Sequence, residues 1–161
     1  MRKIITSIVV TALLCGCSSI DCPLNNRVNA SYRLIGDVTS SQATLTVSTP
    51  LTEAEGNDSV LINMVAQTDS ISLPMSYSRP KDTFYFTIVR EDGQTTTDTI
   101  QVSKKDMPHF ESIDCSPVFF HDITDVEHTT YAIDSIKINN NKVTYHAAKA
   151  NINIYFKNND R

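Results

Sequence analysis

Apolar and polar residues alternate with a period of two along most of this chain. Nine short bursts of alternation follow one another, and Asn, Asp, Gly, Ser and Pro, which favour turns, separate them. Successive side chains of a β-strand point to opposite faces of its sheet, so each burst is typical of a strand with one buried face. No stretch shows a sustained apolar period of 3.6 residues. The pattern therefore predicts an all-β fold.

The strongest burst sets Phe84, Phe86 and Ile88 on one face of a strand and Tyr85 and Thr87 on the other. β-branched and aromatic residues dominate it, as suits a half-buried pleated surface. We expect a single-domain antiparallel β-sandwich, immunoglobulin-like or similar, with minimal helix. Short helices are expected only at residues 104–107 and 146–150. Residues 136–145 are predicted to form a hairpin through Asn139-Asn140-Asn141.

The amino terminus has the order of a secretory signal. Arg2 and Lys3 precede an apolar run over residues 4–14, and Leu14-Cys15-Gly16-Cys17 follows as a lipobox. The run is shorter than the roughly 20 apolar residues that a transmembrane helix needs. We therefore expect residues 1–16 to be a lipoprotein signal peptide, Cys17 to carry lipid, residues 17–28 to be a tether and residues 29–158 to form the sandwich.

Composition excludes some partners. Without the signal peptide, twelve basic residues face eighteen acidic ones, which gives a formal net charge of −6. Nucleic acid and anionic lipid favour clusters of Lys and Arg, and the nearest such cluster is the pair Lys104-Lys105. We expect no nucleic-acid partner. The expected partners are the membrane, through the lipid anchor, and another envelope protein.

Two cysteines remain for a disulfide. Cys15 leaves with the signal peptide and Cys17 carries the lipid, so Cys22 and Cys115 are available to each other in an oxidising compartment. A bond between them would clamp the chain to the second half of the domain five residues after the anchor. The alternative is a pair of free buried thiols.

Residue patterns for catalysis or metal binding are weak. The histidines lie seven to eighteen residues apart, and the one concentration of possible ligands is His121-Asp122 with Asp125, Glu127 and His128. An exposed polar loop after a strand at Val118 explains these residues better than a zinc site. No Gly-x-Ser-x-Gly elbow occurs. We expect no metal, no cofactor and no enzymatic activity.

Four triplets place an aspartate before a hydroxyl residue and a β-branched residue. They look like the acceptor motif of the general O-glycosylation system of exported proteins in Bacteroides-type bacteria. The possible acceptors are Ser59, Ser70, Thr99 and Ser135, and Ser59 is favoured because it follows an acidic loop at residues 52–58. The alternative is that Asp-Ser or Asp-Thr simply begins a strand after a turn.

The chain resembles an uncharacterised family of small Bacteroides-type lipoproteins, a domain of unknown function. The resemblance covers nearly the whole chain after residue 16, and none of its motifs is a catalytic one. It implies a secreted lipoprotein with a β-rich domain and two paired cysteines, and it supplies no activity. It is carried by Cys22-Pro23, residues 69–74, Phe84-Tyr85-Phe86, residues 114–117 with Phe119-Phe120, residues 133–136 and residues 152–156.

We therefore expect an outer-membrane lipoprotein whose sandwich is a non-catalytic binding or structural accessory module. The periplasmic face is favoured, because Ser18 and Ser19 rather than an inner-membrane retention aspartate follow Cys17. The alternative is a glycan-binding accessory protein of envelope polysaccharide uptake, with Tyr85 or Tyr155 on an exposed flat patch. A hydrolase, which needs a concave pocket with two carboxylates or a Ser/His pair, is a third class.

Overall fold

The period-two pattern folds into ten β-strands. The structure is a computed structural model and describes residues 22, 27–40, 43–50, 58–145 and 149–157. In chain order the strands are β1 (Asn29–Ile35), β2 (Ala43–Pro50), β3 (Asp58–Val65), β4 (Ser70–Pro74), β5 (Lys81–Arg90), β6 (Thr95–His109), β7 (Val118–His128), β8 (Ile133–Ile138), β9 (Lys142–Val143) and β10 (Ile152–Phe156). A 3₁₀ turn, η1 (Asp37–Thr39), is the one helical element among these residues. The described ranges include no helix of the length and apolarity that a membrane span requires.

The strands form two sheets packed face to face, so the predicted all-β sandwich is confirmed. One sheet has the order β4-β1-β10-β8, and the other has the order β3-β2-β5-β6-β7-β9. All neighbouring strands are antiparallel except β1 and β10, which run parallel. The chain therefore crosses between the sheets several times, and the first and last strands lie side by side.

The core lies between the two sheets and is apolar. On β5, Phe84, Phe86 and Ile88 are buried, as their alternation predicts. Tyr32 of β1 reaches across from the other sheet and meets Phe84 edge to face, with ring centroids 6.3 Å apart. Edge-to-face rings add about 0.5–1.5 kcal/mol to the burial of their area. This contact joins the two inner faces at the centre of the sandwich.

The helix predicted at residues 104–107 is wrong, because these residues belong to β6. Lys104 is buried, Lys105 is exposed and Asp106 is half-buried, which is the alternation of a strand. All three pair with β7, after an irregularity between Ser103 and Lys104. Buried partners for Lys104 outweigh the local helix preference of two lysines. Of the second predicted helix, residues 146–148 lie outside the described residues.

The hairpin predicted at residues 136–145 is also wrong. β8 pairs with β10 in the four-stranded sheet, whereas β9 pairs with β7 in the six-stranded sheet. The backbone N–H groups of Asn139 and Asn140 donate to the carbonyl of Asn151, and the Asn151 amide donates back to the carbonyls of Asn140 and Lys142. These bonds hold the three asparagines as a crossing between the sheets.

The crossing from β7 to β8 is held by one carboxylate. Asp98 of β6 is buried, and its two oxygens accept four hydrogen bonds of 2.7–2.9 Å. The donors are the Thr129 hydroxyl and the backbone N–H groups of Tyr131, Ala132 and Ile133. Burial alone would raise the pKa of Asp98, but the four hydrogen bonds together lower it below its ordinary value.

We predict that Asp98→Asn lowers the free energy of unfolding by on the order of 3 kcal/mol, because its NH₂ group would face two buried N–H donors. The folded-state pKa is depressed, so the ionised Asp98 stabilises fully above the unfolded pKa of about 3.9 and progressively less below it. Urea denaturation at several pH values measures both effects. Asp134→Asn, an exposed aspartate in the same kind of triplet, is the control. Equal stability of the two variants would contradict this role for Asp98.

Candidate binding surface at the disulfide end

One end of the sandwich collects the features that a binding site needs. The structure joins Cys22 to Cys115 by a disulfide, as predicted, with the two Cα atoms 5.4 Å apart and a sequence separation of 93. Cys115 lies in the connection between β6 and β7. We call this end, with the start of β1, the end of β6 and the start of β7, the disulfide end. For a loop of this length the chain-entropy estimate of stabilisation is about 4–5 kcal/mol.

The chain at Arg27 lies along β7. Arg27 forms a parallel bridge with Phe119, the second residue of that strand. The Phe119 ring stacks on Tyr77 at 5.1 Å, and the Arg27 guanidinium lies 6.0 Å from the centre of the Tyr77 ring. A cation at this distance from an aromatic face is attracted to it. These contacts fix an exposed tyrosine beside the anchored segment.

A second aromatic group lies on the other side of β7. The Phe120 ring stacks on His109 at 4.5 Å and meets Tyr145 edge to face at 5.2 Å. Burial and the neighbouring Glu111 carboxylate raise the pKa of Tyr145. Adjacent side chains on one strand point to opposite faces, so Phe119 contacts Tyr77 and Phe120 contacts Tyr145 on the other side.

The larger cavity opens between the start of β1 and the segment that follows β9. Its volume is about 530 Å³, and its walls include Arg27, Asn29, Ser31, Ser72 and Tyr145. A polar wall with one exposed tyrosine suits a hydroxyl-rich ligand, because such a ligand needs many hydrogen bonds and one flat ring.

A smaller cavity of about 220 Å³ ends at a buried carboxylate. Asp82 lines it together with Arg27, Arg79 and Ser59. The Oδ2 atom of Asp82 accepts a hydrogen bond of 3.1 Å from the backbone N–H of Ser76. Burial raises the pKa of Asp82, and the charge of Lys104 is the strongest influence that opposes this.

Behind Asp82 lies a buried group of charged side chains. The Lys104 Nζ atom is 3.7 Å from Asp82, 3.1 Å from Asp106 and 2.5 Å from the carbonyl of Arg79. The His121 Nδ1 atom is 2.6 Å from the same Asp106 oxygen. Its Nε2 atom is buried, with no hydrogen-bond partner among the described residues. Burial lowers the pKa of His121 and Lys104 adds to this, although Asp106 opposes it. Since the ring is completely buried, this His–Asp pair is a structural feature rather than an exposed acid–base pair.

The residues considered as metal ligands lie on a strand. His121, Asp122, Asp125, Glu127 and His128 all belong to β7, so the predicted exposed loop after Val118 is wrong. His121 is buried while Asp125 and Glu127 are exposed, because the register shift between Ile123 and Asp125 reverses which residues of β7 face the core. Across the described ranges, no three His, Cys, Asp or Glu side chains are grouped closely enough to hold a metal ion.

The four possible glycosylation acceptors differ in their environments. Ser59 lies in β3, rather than in a loop, and lines the smaller cavity, while residues 52–57 of the predicted acidic loop lie outside the described residues. Thr99 is half-buried on the interior strand β6. It follows Asp98, whose two oxygens already accept four hydrogen bonds. Ser135 is half-buried on β8, and Ser70 is exposed on β4. Glycosylation stays a prediction, and exposure favours Ser70.

The tyrosines chosen as glycan platforms are not the most exposed ones. Tyr85 and Tyr155 are half-buried, and the ammonium of Lys137 lies 5.4 Å from the centre of the Tyr155 ring. Neither Tyr145 nor Arg27 is predicted from the sequence as a site residue. Nothing near either residue in the sequence signals their roles, because distant segments build both walls.

The pKa of His121 predicts a loss of stability on mild acidification. The imidazole stays neutral in the folded chain to a lower pH than in the unfolded chain, where the pKa of histidine is about 6.5. The free energy of unfolding should fall as pH drops below that value, by up to about 1.4 kcal/mol per pH unit, until the folded-state pKa is passed. Urea denaturation between pH 7.5 and 5 measures this dependence of the free energy of unfolding on pH.

His121→Gln should flatten this slope, whatever its effect on the absolute stability. His109→Gln is the control, because it removes an exposed imidazole. A slope that His121→Gln leaves unchanged would rule out the buried ring as its source.

Comparison with known proteins identifies a family for most of the chain. A search of curated proteins and a search of solved structures each returned no match. The model of a family of unknown function, DUF6452, matches residues 44–156. This range begins within β2 and ends with β10, so it includes Cys115 but not Cys22 or Cys17. The chain therefore belongs to DUF6452, a family of unknown function.

Proposed function

We propose that this protein is an outer-membrane lipoprotein, acylated at Cys17, whose β-sandwich is a non-catalytic accessory module that binds another envelope protein. The lipobox supports the anchor, and the periplasmic face is the proposed location. Cys17 itself lies outside the described residues, but Cys22, five residues further on, is fixed to the domain by the disulfide. A short tether of this kind keeps a binding domain close to its membrane.

The observation that carries the binding role is the edge strand β3. It is an outer strand of the six-stranded sheet and pairs on one side with β2. Val60, on this strand, is 56% exposed, and Met64 is 63% exposed. A strand with unpaired backbone groups and exposed apolar side chains is a template for strand addition by a partner.

Only the first part of β3 has regular geometry for such pairing. The register with β2 shifts twice, on either side of Val47, and Met64 has a positive φ of 48°. Bulges twist an edge strand away from further pairing, which is one way in which proteins limit aggregation. A partner strand therefore fits against residues 58–60, where the edge is regular.

The alternative function is glycan binding as an accessory to envelope polysaccharide uptake. The 530 Å³ cavity with its polar walls and Tyr145 is the observation that favours it. In this alternative the glycan would bind at the disulfide end rather than on Tyr85 or Tyr155. Both proposals describe a module that binds without catalysis, and they differ in the class of ligand.

We predict that mass spectrometry of the protein purified from cell envelopes finds a diacylglyceryl-modified Cys17 as the first residue. Cys17→Ser should abolish the modification and release the protein from the membrane fraction. Protease added to intact cells should leave the protein uncut if it lies on the periplasmic face. An unmodified, uncleaved amino terminus in the cytosol would end the lipoprotein proposal.

We predict that pull-down from chemically cross-linked envelopes recovers a stoichiometric protein partner. Val60→Lys should abolish recovery, because a charged side chain on an edge strand opposes strand addition. Ile138→Lys is the matched control, since it places the same charge at an exposed apolar position on β8, an outer strand of the other sheet.

Two results would contradict the β3 proposal, namely recovery of no partner by the wild-type protein or equal recovery by Val60→Lys. The glycan alternative predicts instead that envelope polysaccharide retains the protein. That retention should be lost in Tyr145→Ala and kept in Tyr131→Ala, which removes an exposed tyrosine that is not part of the cavity.

A further inference from the structure

The connection between β6 and β7 carries two large apolar side chains in solvent. Phe110 is 60% exposed and Ile113 is 97% exposed. Single exposed apolar residues are common on protein surfaces and need no explanation by themselves. Here both lie on one short connection, residues 110–117, which we call the tip. The adjoining Met107 of β6 is also exposed.

The disulfide connects the tip to a residue close to the proposed lipid anchor. Cys115 is part of the tip, two residues after Ile113, and the disulfide fixes Cys22 to it. Cys17 precedes Cys22 by five residues, and five fully extended residues span at most about 18 Å. An acyl chain on Cys17 would therefore keep Cys22, and the tip bonded to it, within about 18 Å of the anchor, whatever path the intervening residues take.

We propose that the tip is a second membrane contact, in which Phe110 and Ile113 insert into the lipid interface beside the acyl anchor. This inference rests on the proposed acylation of Cys17. Apolar side chains at an interface settle about 5–10 Å into the boundary between headgroups and acyl chains. The lipid anchor supplies proximity, and the two side chains fix the orientation of the domain.

The charge of the tip selects the kind of lipid. Glu111 and Asp114 are both exposed on it, and Glu111 lies 3.4 Å from His109 and also hydrogen-bonds to Tyr145. Anionic lipids attract clusters of basic residues, and the tip has none. A zwitterionic phospholipid surface, such as phosphatidylethanolamine, therefore fits the tip better than an anionic one.

The opposite end of the sandwich supplies a control position. Tyr131 lies three residues after His128, the last residue of β7, and is 71% exposed. β7 has eleven residues, so its two ends are about 33 Å apart. A residue at that end stays in water when the tip contacts a membrane.

Single tryptophan reporters test the proposal directly, because the chain contains no tryptophan. Full-length lipoprotein with Ile113→Trp is reconstituted into vesicles of phosphatidylethanolamine and phosphatidylcholine, with or without brominated acyl chains. Phe110→Trp is the second reporter and Tyr131→Trp is the control. All three positions are exposed, so unfolding midpoints matching that of the wild type verify the fold of each variant.

We expect blue-shifted emission and loss of fluorescence in brominated vesicles for the two tip reporters, with no change for Tyr131→Trp. If Cys17 is shown by mass spectrometry to be acylated and both tip reporters keep their aqueous emission, the membrane contact is disproved while the lipoprotein proposal stands. Quenching of all three positions alike would also overturn it. An unacylated amino terminus instead removes the lipoprotein proposal and the basis of this one.

Discussion

The Asp98 carboxylate determines how the two sheets are connected. β7 belongs to one sheet and β8 to the other, so residues 129–132 must turn the chain from one layer into the next. Three consecutive backbone N–H groups, those of Tyr131 and Ala132 in the crossing and of Ile133 at the start of β8, need acceptors, because a buried N–H without a partner is costly. Asp98 accepts all three and the Thr129 hydroxyl as well. Without it, the buried N–H groups of Ala132 and Ile133 would lose their acceptor.

The sequence alone predicts those parts of the fold that depend on alternation. Phe84, Phe86 and Ile88 are recognisable as one face of a strand because a pleated strand imposes a period of two. The strand position of Lys104 is not predictable from its local sequence, because its burial depends on three partners. Asp82 lies on β5, the carbonyl of Arg79 lies just before β5, and Asp106 is two positions further along β6. Asn139-Asn140-Asn141 has the composition of a turn, but Asn139 and Asn140 bond to Asn151 and Asn141 bonds to β7, not across a hairpin.

The candidate site was less predictable than the fold, for a physical reason. The disulfide followed from counting cysteines, since two remain when Cys15 is assigned to a signal peptide and Cys17 to a lipid anchor. The cavity walls combine side chains from β1, β4 and the segment after β9, and no local pattern records that convergence. The triplet Asp98-Thr99-Ile100 shows the opposite error, because a pattern resembling a modification motif has its aspartate in a structural role. Local spacing therefore identifies motifs, but burial determines which of them are accessible.

The parallel pairing of β1 with β10 has a consequence for how the chain reaches its native state. β1 lies between β4 and β10, so its second neighbour is supplied by residues 152–156, more than one hundred positions later. Contacts of such long range are slow to form, because a large loop must close before they stabilise anything. Synthesis from the amino terminus therefore leaves the four-stranded sheet incomplete until nearly the entire polypeptide is available.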